Sequence, residues 1–281
     1  MKVLKFGGTS VANAENIVKV GHIIKEESIK NPVTVIVSAL HGVTDQLIQA
    51  AESASRNDAN YLSIVKELEE KHLKLVRELI PVLEQSSLLS FVKKQFNTIE
   101  DLCNGIYALE EFTGRIKDKI TSYGEFLSSN IIAARLKSEG LDVIWMDAAG
   151  YVITNSNFTN AKVDFEATEK NLEDFFQKNQ HRVVIAPGFV ASDKKGNPTT
   201  LGRGGSDYTA SIIAAAADAE ELQIWTDVSG MMTADPRLVS AAKPIPQISY
   251  AEAMETFPFW GKSPVSAYAP AGHGKKNQPQ D

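Results

Sequence analysis

The stretch Val33-Thr34-Val35-Ile36-Val37-Ser38-Ala39 constrains the fold of this chain more than any other. It is a continuous apolar, β-branched run, and such runs suit a strand buried on both faces of a parallel sheet. Related runs recur at Met1–Leu4, Val143–Met146, Val183–Ala186 and Leu222–Trp225. Helical patterns begin near Ala14 and cover 43–55 and 205–217, the last rich in small residues that pack closely on a sheet. Repeated strand–helix units predict an α/β fold with a mostly parallel sheet, whose ligands bind beyond the carboxyl ends of the strands.

Between about 61 and 139 no strand is expected. Ile64, Val65, Leu68, Leu75, Val76 and Leu79 recur at helical spacing, and Leu88, Val92, Phe96 and Ile99 do the same. These patterns predict an inserted helical region, about 60–139. Helices that simply flank the sheet explain part of it equally well.

Composition narrows the function classes. The chain has 281 residues, 43% hydrophobic and 23% charged, with a net charge of -6. No general basic surface exists to hold nucleic acid, so an anion must be bound by local arrangements. Cys103 is the one cysteine, which excludes a disulfide framework and fits a reducing compartment. The apolar start breaks at Lys5 and Gly7, short of a signal peptide, and no stretch approaches the ~20 apolar residues of a membrane span. A soluble, cytoplasmic protein without membrane contact is expected.

Several polar segments fall at or near expected strand ends. In Lys5-Phe6-Gly7-Gly8-Thr9-Ser10, a strand end, a glycine turn, a cation and a following helix start make an anion site suited to phosphate. It is not a Walker A loop, where the lysine follows the glycines. Ser38 to Asp45 joins the buried run to a helix, where Ser38 and Thr44 can hold a polar ligand, although Thr44 reads equally as a helix cap. Ser122-Tyr123-Gly124-Glu125 places a carboxylate, Glu125, that can meet an ammonium group or merely face solvent. In Thr199 to Asp207 an arginine, Arg203, is flanked by Gly202, Gly204 and Gly205, which packing explains poorly. Its guanidinium can take a carboxylate bidentately, while Ser206 and Asp207 read as caps of the next helix. Finally, Thr226-Asp227 ends a strand and can bind a ribose or base. Asp235-Pro236-Arg237 is a turn signal with a cation for phosphates.

Together, KFGGTS, VSALHGVTDQL, SYGE, TTLGRGGSDYTA and WTDVSG…TADPR resemble the aspartate kinase family of the amino-acid kinase fold, in the family's order from Lys5 to about Glu255. The kinase part of bifunctional aspartokinase–homoserine dehydrogenases is especially similar. The resemblance implies a three-layer αβα sandwich. It also implies transfer of the γ-phosphoryl of ATP, with Mg2+, to the side-chain carboxylate of L-aspartate, the first step toward lysine, threonine and methionine. By resemblance, Lys5 neutralises the transferred phosphoryl group and Gly7, Gly8, Thr9 and Ser38 contact phosphates. Asp207 orients Lys5, while Arg203, Glu125, Thr44 and Ser206 hold aspartate. Thr226, Asp227, Asp235, Arg237 and Lys262 hold ATP, and no residue is assigned as a metal ligand. A homodimer of the full-length parent is compatible with this. Other expectations are a second enzyme of the same fold, acting on glutamate, acetylglutamate, carbamate or UMP, and a nucleotide-binding remnant without turnover.

Two features depart from the family. Met232 stands where a tyrosine is usual, so a hydroxyl contact to the nucleotide is lost. After Glu255 the family continues L-S-x-F-G-A-K-V-x-Y-P-P-T, whereas this chain reads Thr256 to Tyr268 as TFPFWGKSPVSAY. Codons for that peptide exist which, read one base later, encode L-S-H-F-G-A-K-V-P-Y-P-P-T. A one-base insertion near codon 255 is therefore expected, making 1–255 the catalytic domain and 256–281 an out-of-frame tail, with no regulatory ACT domain in these residues. An uninterrupted gene with no family-like reading in the next frame contradicts this.

Overall fold

In a computed structural model of the chain, residues 1–226, 230, 232–234, 238–239, 241–249 and 252 are described. The chain divides into two units, Met1–Asp227 and Val228–Asp281. The first opens with β1 (Lys2–Phe6), α1 (Ala14–Lys30), β2 (Val33–Val37) and α2 (Val43–Ser55). Three long helices follow, α3 (Tyr61–Leu79), α4 (Gln85–Leu109) and α5 (Gly114–Ser138). Next come β3 (Val143–Trp145), β4 (Ile153–Thr154), α6 (Phe165–Lys178), β5 (Val183–Pro187), β6 (Val190–Asp193) and β7 (Pro198–Thr200). The unit ends with α7 (Gly205–Ala216) and β8 (Glu221–Trp225).

The main sheet has the order β3-β5-β2-β1-β8, and every pairing in it is parallel. Its strands alternate between two cores, as the period of two requires. Leu4, Phe6, Val33, Val35, Val37, Val183 and Ile185 join a core built with α1 to α5. Val3, Ile36, Val184 and Ala186 join a second core with residues of α6 and α7. Helices therefore cover both faces, giving three layers and the β-branched composition of β2. Of the long helices, α3 and α4 pack on each other and on α2, while α5 also lies against β3 and β5.

Several helix starts follow from local chemistry. Asn13 accepts from the Asn16 N–H at 2.9 Å to cap α1, and Asp164 accepts from the Ala167 N–H at 3.2 Å to cap α6. Among the described residues no helix is long and apolar enough to cross a membrane. In the second unit, Met232 bridges Pro244, and the Thr233 N–H donates to the Lys243 carbonyl at 2.8 Å.

A smaller sheet, β4-β6-β7, runs beside the main one in sequence but not in pattern. The Ala161 N–H donates to the Thr200 carbonyl at 2.9 Å, joining the loop after β4 to the end of β7. That end feeds Leu201-Gly202-Arg203, so this small sheet sets where the glycine-flanked arginine begins.

Candidate active site

Strand alternation decides where Lys5 points. Val3 packs toward α7, and Lys5, two residues on, shares that face. Its ammonium meets the Asp207 carboxylate of α7 at 2.6 Å, with Lys5 8% exposed. The helix reaches this position because glycines permit close approach. A Cβ on Gly188, just after β5, would stand 2.8 Å from the Ser206 Cα, and one on Gly205 would stand 2.7 Å from Phe189 Cδ2. Gly204, with φ of 73°, is the N-cap of α7 and carries no side-chain cap. The expectation that Ser206 and Asp207 cap this helix is corrected: the left-handed glycine ends the loop, and Asp207 is free to pair with Lys5.

Thr44 likewise does not cap α2. The N-cap there is Gly42, also left-handed with no side-chain bond, and Thr44 lines the cleft instead. A cleft of about 300 Å³ is bounded by Lys5, Ser38, Thr44, Glu125, Arg203, Ser206 and Asp207, with Phe189 and the three glycines of the arginine loop. It sits beyond the ends of β1, β2 and β5, as parallel sheets dictate. Segments from distant parts of the sequence thus converge.

Glu125 is the unusual group. It is 5% exposed, and its Oε2 has no hydrogen-bond partner among the described residues. Burial pushes its carboxyl up to about 8, against the lowering effect of hydrogen bonds from the Ala39 and Glu125 backbone. A buried acceptor left unsatisfied is costly unless a ligand cation completes it. Helix α5 can carry it there because residue 124 is glycine: a Cβ on Gly124 would stand 2.8 Å from the Ala39 Cβ. The Ser128 hydroxyl of the same helix donates to the Ser38 carbonyl at 2.8 Å and fastens the contact. Gly124→Val is expected to push α5 off this loop, lowering stability by about 1–3 kcal/mol and raising ligand requirements at the cleft; urea melts and ligand titration check both.

The glycine turn after β1 is only partly in the cleft. Gly8 lines an adjoining hollow of about 190 Å³ with Ser38, Ala39, His41, Thr44 and Glu125. The Gly7 N–H donates to the Trp225 carbonyl at 3.3 Å, extending the β1–β8 ladder. A phosphate role for this amide requires exchanging that bond. Thr9 is exposed, and its carbonyl accepts from Asn16 Nδ2 at 2.9 Å; it lines neither hollow. Thr226 follows β8 directly, while Asp227, Asp235, Arg237 and Lys262 lie outside the described residues.

Two features at this site escaped the sequence. Lys71 of α3 donates to the His41 carbonyl at 2.9 Å, tying the helical region to the loop before α2. Asp118 of α5 grips Thr159 and Thr200. Neither residue stands in a local pattern that marks it.

Known proteins resemble this chain over most of its length. The chain is 37% identical over 256 residues to a bifunctional aspartokinase/homoserine dehydrogenase 1 of Arabidopsis thaliana, covering 90% of this chain and 28% of that protein. It is 33% identical over 267 residues to the lysine-sensitive aspartokinase 3 of Escherichia coli, covering 92% of this chain and 56% of that one. The solved structure of E. coli aspartokinase III in complex with aspartate and ADP superposes with a TM-score of 0.82 at 30% identity, over 91% of this chain and 56% of that chain. The chain thus spans from about a quarter to about half the length of these relatives. A model of the amino acid kinase family matches residues 1–273, and the chain belongs to that family.

Proposed function

We propose that this chain is the catalytic part of an aspartate kinase, transferring the γ-phosphoryl of ATP to the side-chain carboxylate of L-aspartate. The observation that carries the reading is the orphaned, buried Oε2 of Glu125 on the cleft that Lys5 and Arg203 also line. An α-amino acid brings an ammonium for Glu125 and an α-carboxylate for Arg203. Its side-chain carboxylate then points toward Lys5. Relatives named as aspartokinases support the same choice.

The acceptor is already a carboxylate at neutral pH, so no general base is needed. The reaction reduces to alignment and neutralisation of charge. Lys5, held by Asp207, stabilises negative charge on the phosphoryl group in flight. Ser206 and Thr44, which line the cleft, are proposed to offer hydroxyls to the substrate, and Ser38 and Gly8, which line the adjoining hollow, to meet the phosphates. Among the described residues no group of three or more metal-binding side chains exists. A magnesium ion entering with the nucleotide would be held mostly by phosphate oxygens and water, where it would offset phosphate charge. Thr226, Asp227, Asp235, Arg237 and Lys262 are proposed to serve the nucleotide, on resemblance alone.

ADP release measured with L-aspartate, L-glutamate, acetylglutamate, carbamate and UMP tests the reading. Release that depends on aspartate is expected. Release with another acceptor, or thermal stabilisation by MgATP with no acceptor-dependent turnover, contradicts it.

A further inference from the structure

Helix α5 carries more into this site than Glu125. Seven residues earlier, about two turns and about 10 Å along the same face, stands Asp118, 1% exposed. Its Oδ2 accepts from the Thr159 N–H at 2.8 Å and the Thr200 N–H at 3.1 Å, and its Oδ1 accepts from the Thr200 hydroxyl at 2.7 Å. Both partners belong to segments that adjoin the arginine loop. Thr200 is the last residue of β7, three positions before Arg203. Thr159 takes a φ of 72°, a left-handed conformation that a β-branched residue adopts only under constraint. The neighbouring Asn160 lies so close to Gly202 that a Cβ there would meet Asn160 Oδ1 at 2.8 Å. One buried carboxylate therefore holds both the strand that feeds the arginine loop and the strained turn beneath it.

We propose that Asp118 is a positioning residue that fixes Arg203 relative to Glu125, so that one helix sets the spacing between the grips for a substrate's carboxylate and ammonium. This rests on the reading that those two side chains hold an α-amino acid. Burial of a carboxylate with neither lysine nor arginine bonded to it among the described residues is expensive, and burial indeed pushes the Asp118 carboxyl up. Three donors aimed at it offset that cost and make its geometry demanding. An asparagine has the same shape but turns one acceptor oxygen into an NH2 group. With the oxygen kept toward the two N–H groups, that NH2 faces the Thr200 oxygen, whose hydroxyl must reverse to accept it, and the negative charge that strengthens all three bonds is lost while the packing stays.

The test is Asp118→Asn, with kinetics for each substrate and hydrogen–deuterium exchange across the protein. The expected result is a rise of about tenfold in KM for aspartate, with KM for ATP changed by less than about twofold. Exchange should quicken at 159–161 and 200–205 and not elsewhere. In an Arg203→Ala background the same change should add little, because the effect acts through that arginine. Thr200→Val, which deletes the hydroxyl bond alone, should shift KM for aspartate in the same direction by a smaller factor, and it decides the matter if Asp118→Asn does not fold. Equal rises in both KM values, or additive losses in the double variant, overturn the proposal. Failure of the kinase reading looks different: the unaltered protein shows no aspartate turnover. Exchange then decides alone, and unchanged protection at 200–205 overturns the positioning role.

Discussion

Lys5→Ala is expected to lower kcat by about 30- to 1,000-fold, equivalent to ~2–4 kcal/mol of lost transition-state stabilisation. The expectation follows from where the strand leaves this cation. β1 is flanked by β2 and β8 along its full length, so its backbone cannot drift. The ammonium stands 2.6 Å from Asp207 and beside Gly7, where an added Cβ would lie 3.7 Å from Nζ. Such a held charge costs no rearrangement when phosphoryl charge develops. Substrate grip lies with other side chains, so KM for aspartate should change little. Steady-state kinetics with both substrates check this. A rise in KM with kcat intact contradicts the role, and a matched thermal melt separates it from loss of the Lys5–Asp207 pair as a structural element.

The second large effect is a pH dependence carried by Glu125. In the folded, ligand-free protein its carboxyl sits at about 8, so it is mostly neutral at pH 7. Gripping an ammonium requires the carboxylate. KM for aspartate should therefore fall as pH rises toward 8, by up to about tenfold per unit. Glu125→Gln should raise KM by about tenfold or more at pH 8, where the charge matters most, and flatten the profile. The effect on stability has the opposite sense. A free glutamate ionises near pH 4.3, whereas the folded one holds its proton to about 8. Stability from this group is fully present below the lower value and declines as pH climbs to the upper one. Melts of the ligand-free protein from pH 5 to 8.5 should show a decline that Glu125→Gln lacks. A KM profile unchanged by that substitution contradicts the assignment.

The main sheet was legible because β1, β2, β5 and β8 are buried or paired runs whose composition suits no other use. The small sheet was not. β4, β6 and β7 span two to four residues and include Thr154, Ser192, Asp193 and Pro198, too short and polar to show a period. Helix α6 was missed although Asp164 before it, with Phe165, Leu172 and Phe175, gives a start signal and an apolar stripe. The cleft-lining Lys5, Ser38, Thr44, Glu125, Arg203, Ser206 and Asp207 were each readable as candidates because each sits in a glycine-marked segment. The capping role given to Ser206 and Asp207 failed because sequence shows the hydroxyl and carboxylate but not the left-handed Gly204 that replaces them. Asp118 was invisible for a different reason. Its partners lie 41 and 82 positions away, so nothing local distinguishes it from a solvated helical aspartate.

The most direct measurement is hydroxylamine trapping during turnover with MgATP. An acyl phosphate made on the substrate's side chain converts to a hydroxamate in step with ADP. The geometry predicts equal amounts of aspartyl β-hydroxamate and ADP from L-aspartate, with both lost in Lys5→Ala. ADP released without hydroxamate, or a hydroxamate formed equally well from an acceptor lacking the α-ammonium, would contradict the reading of Lys5, Glu125 and Arg203 as a single site.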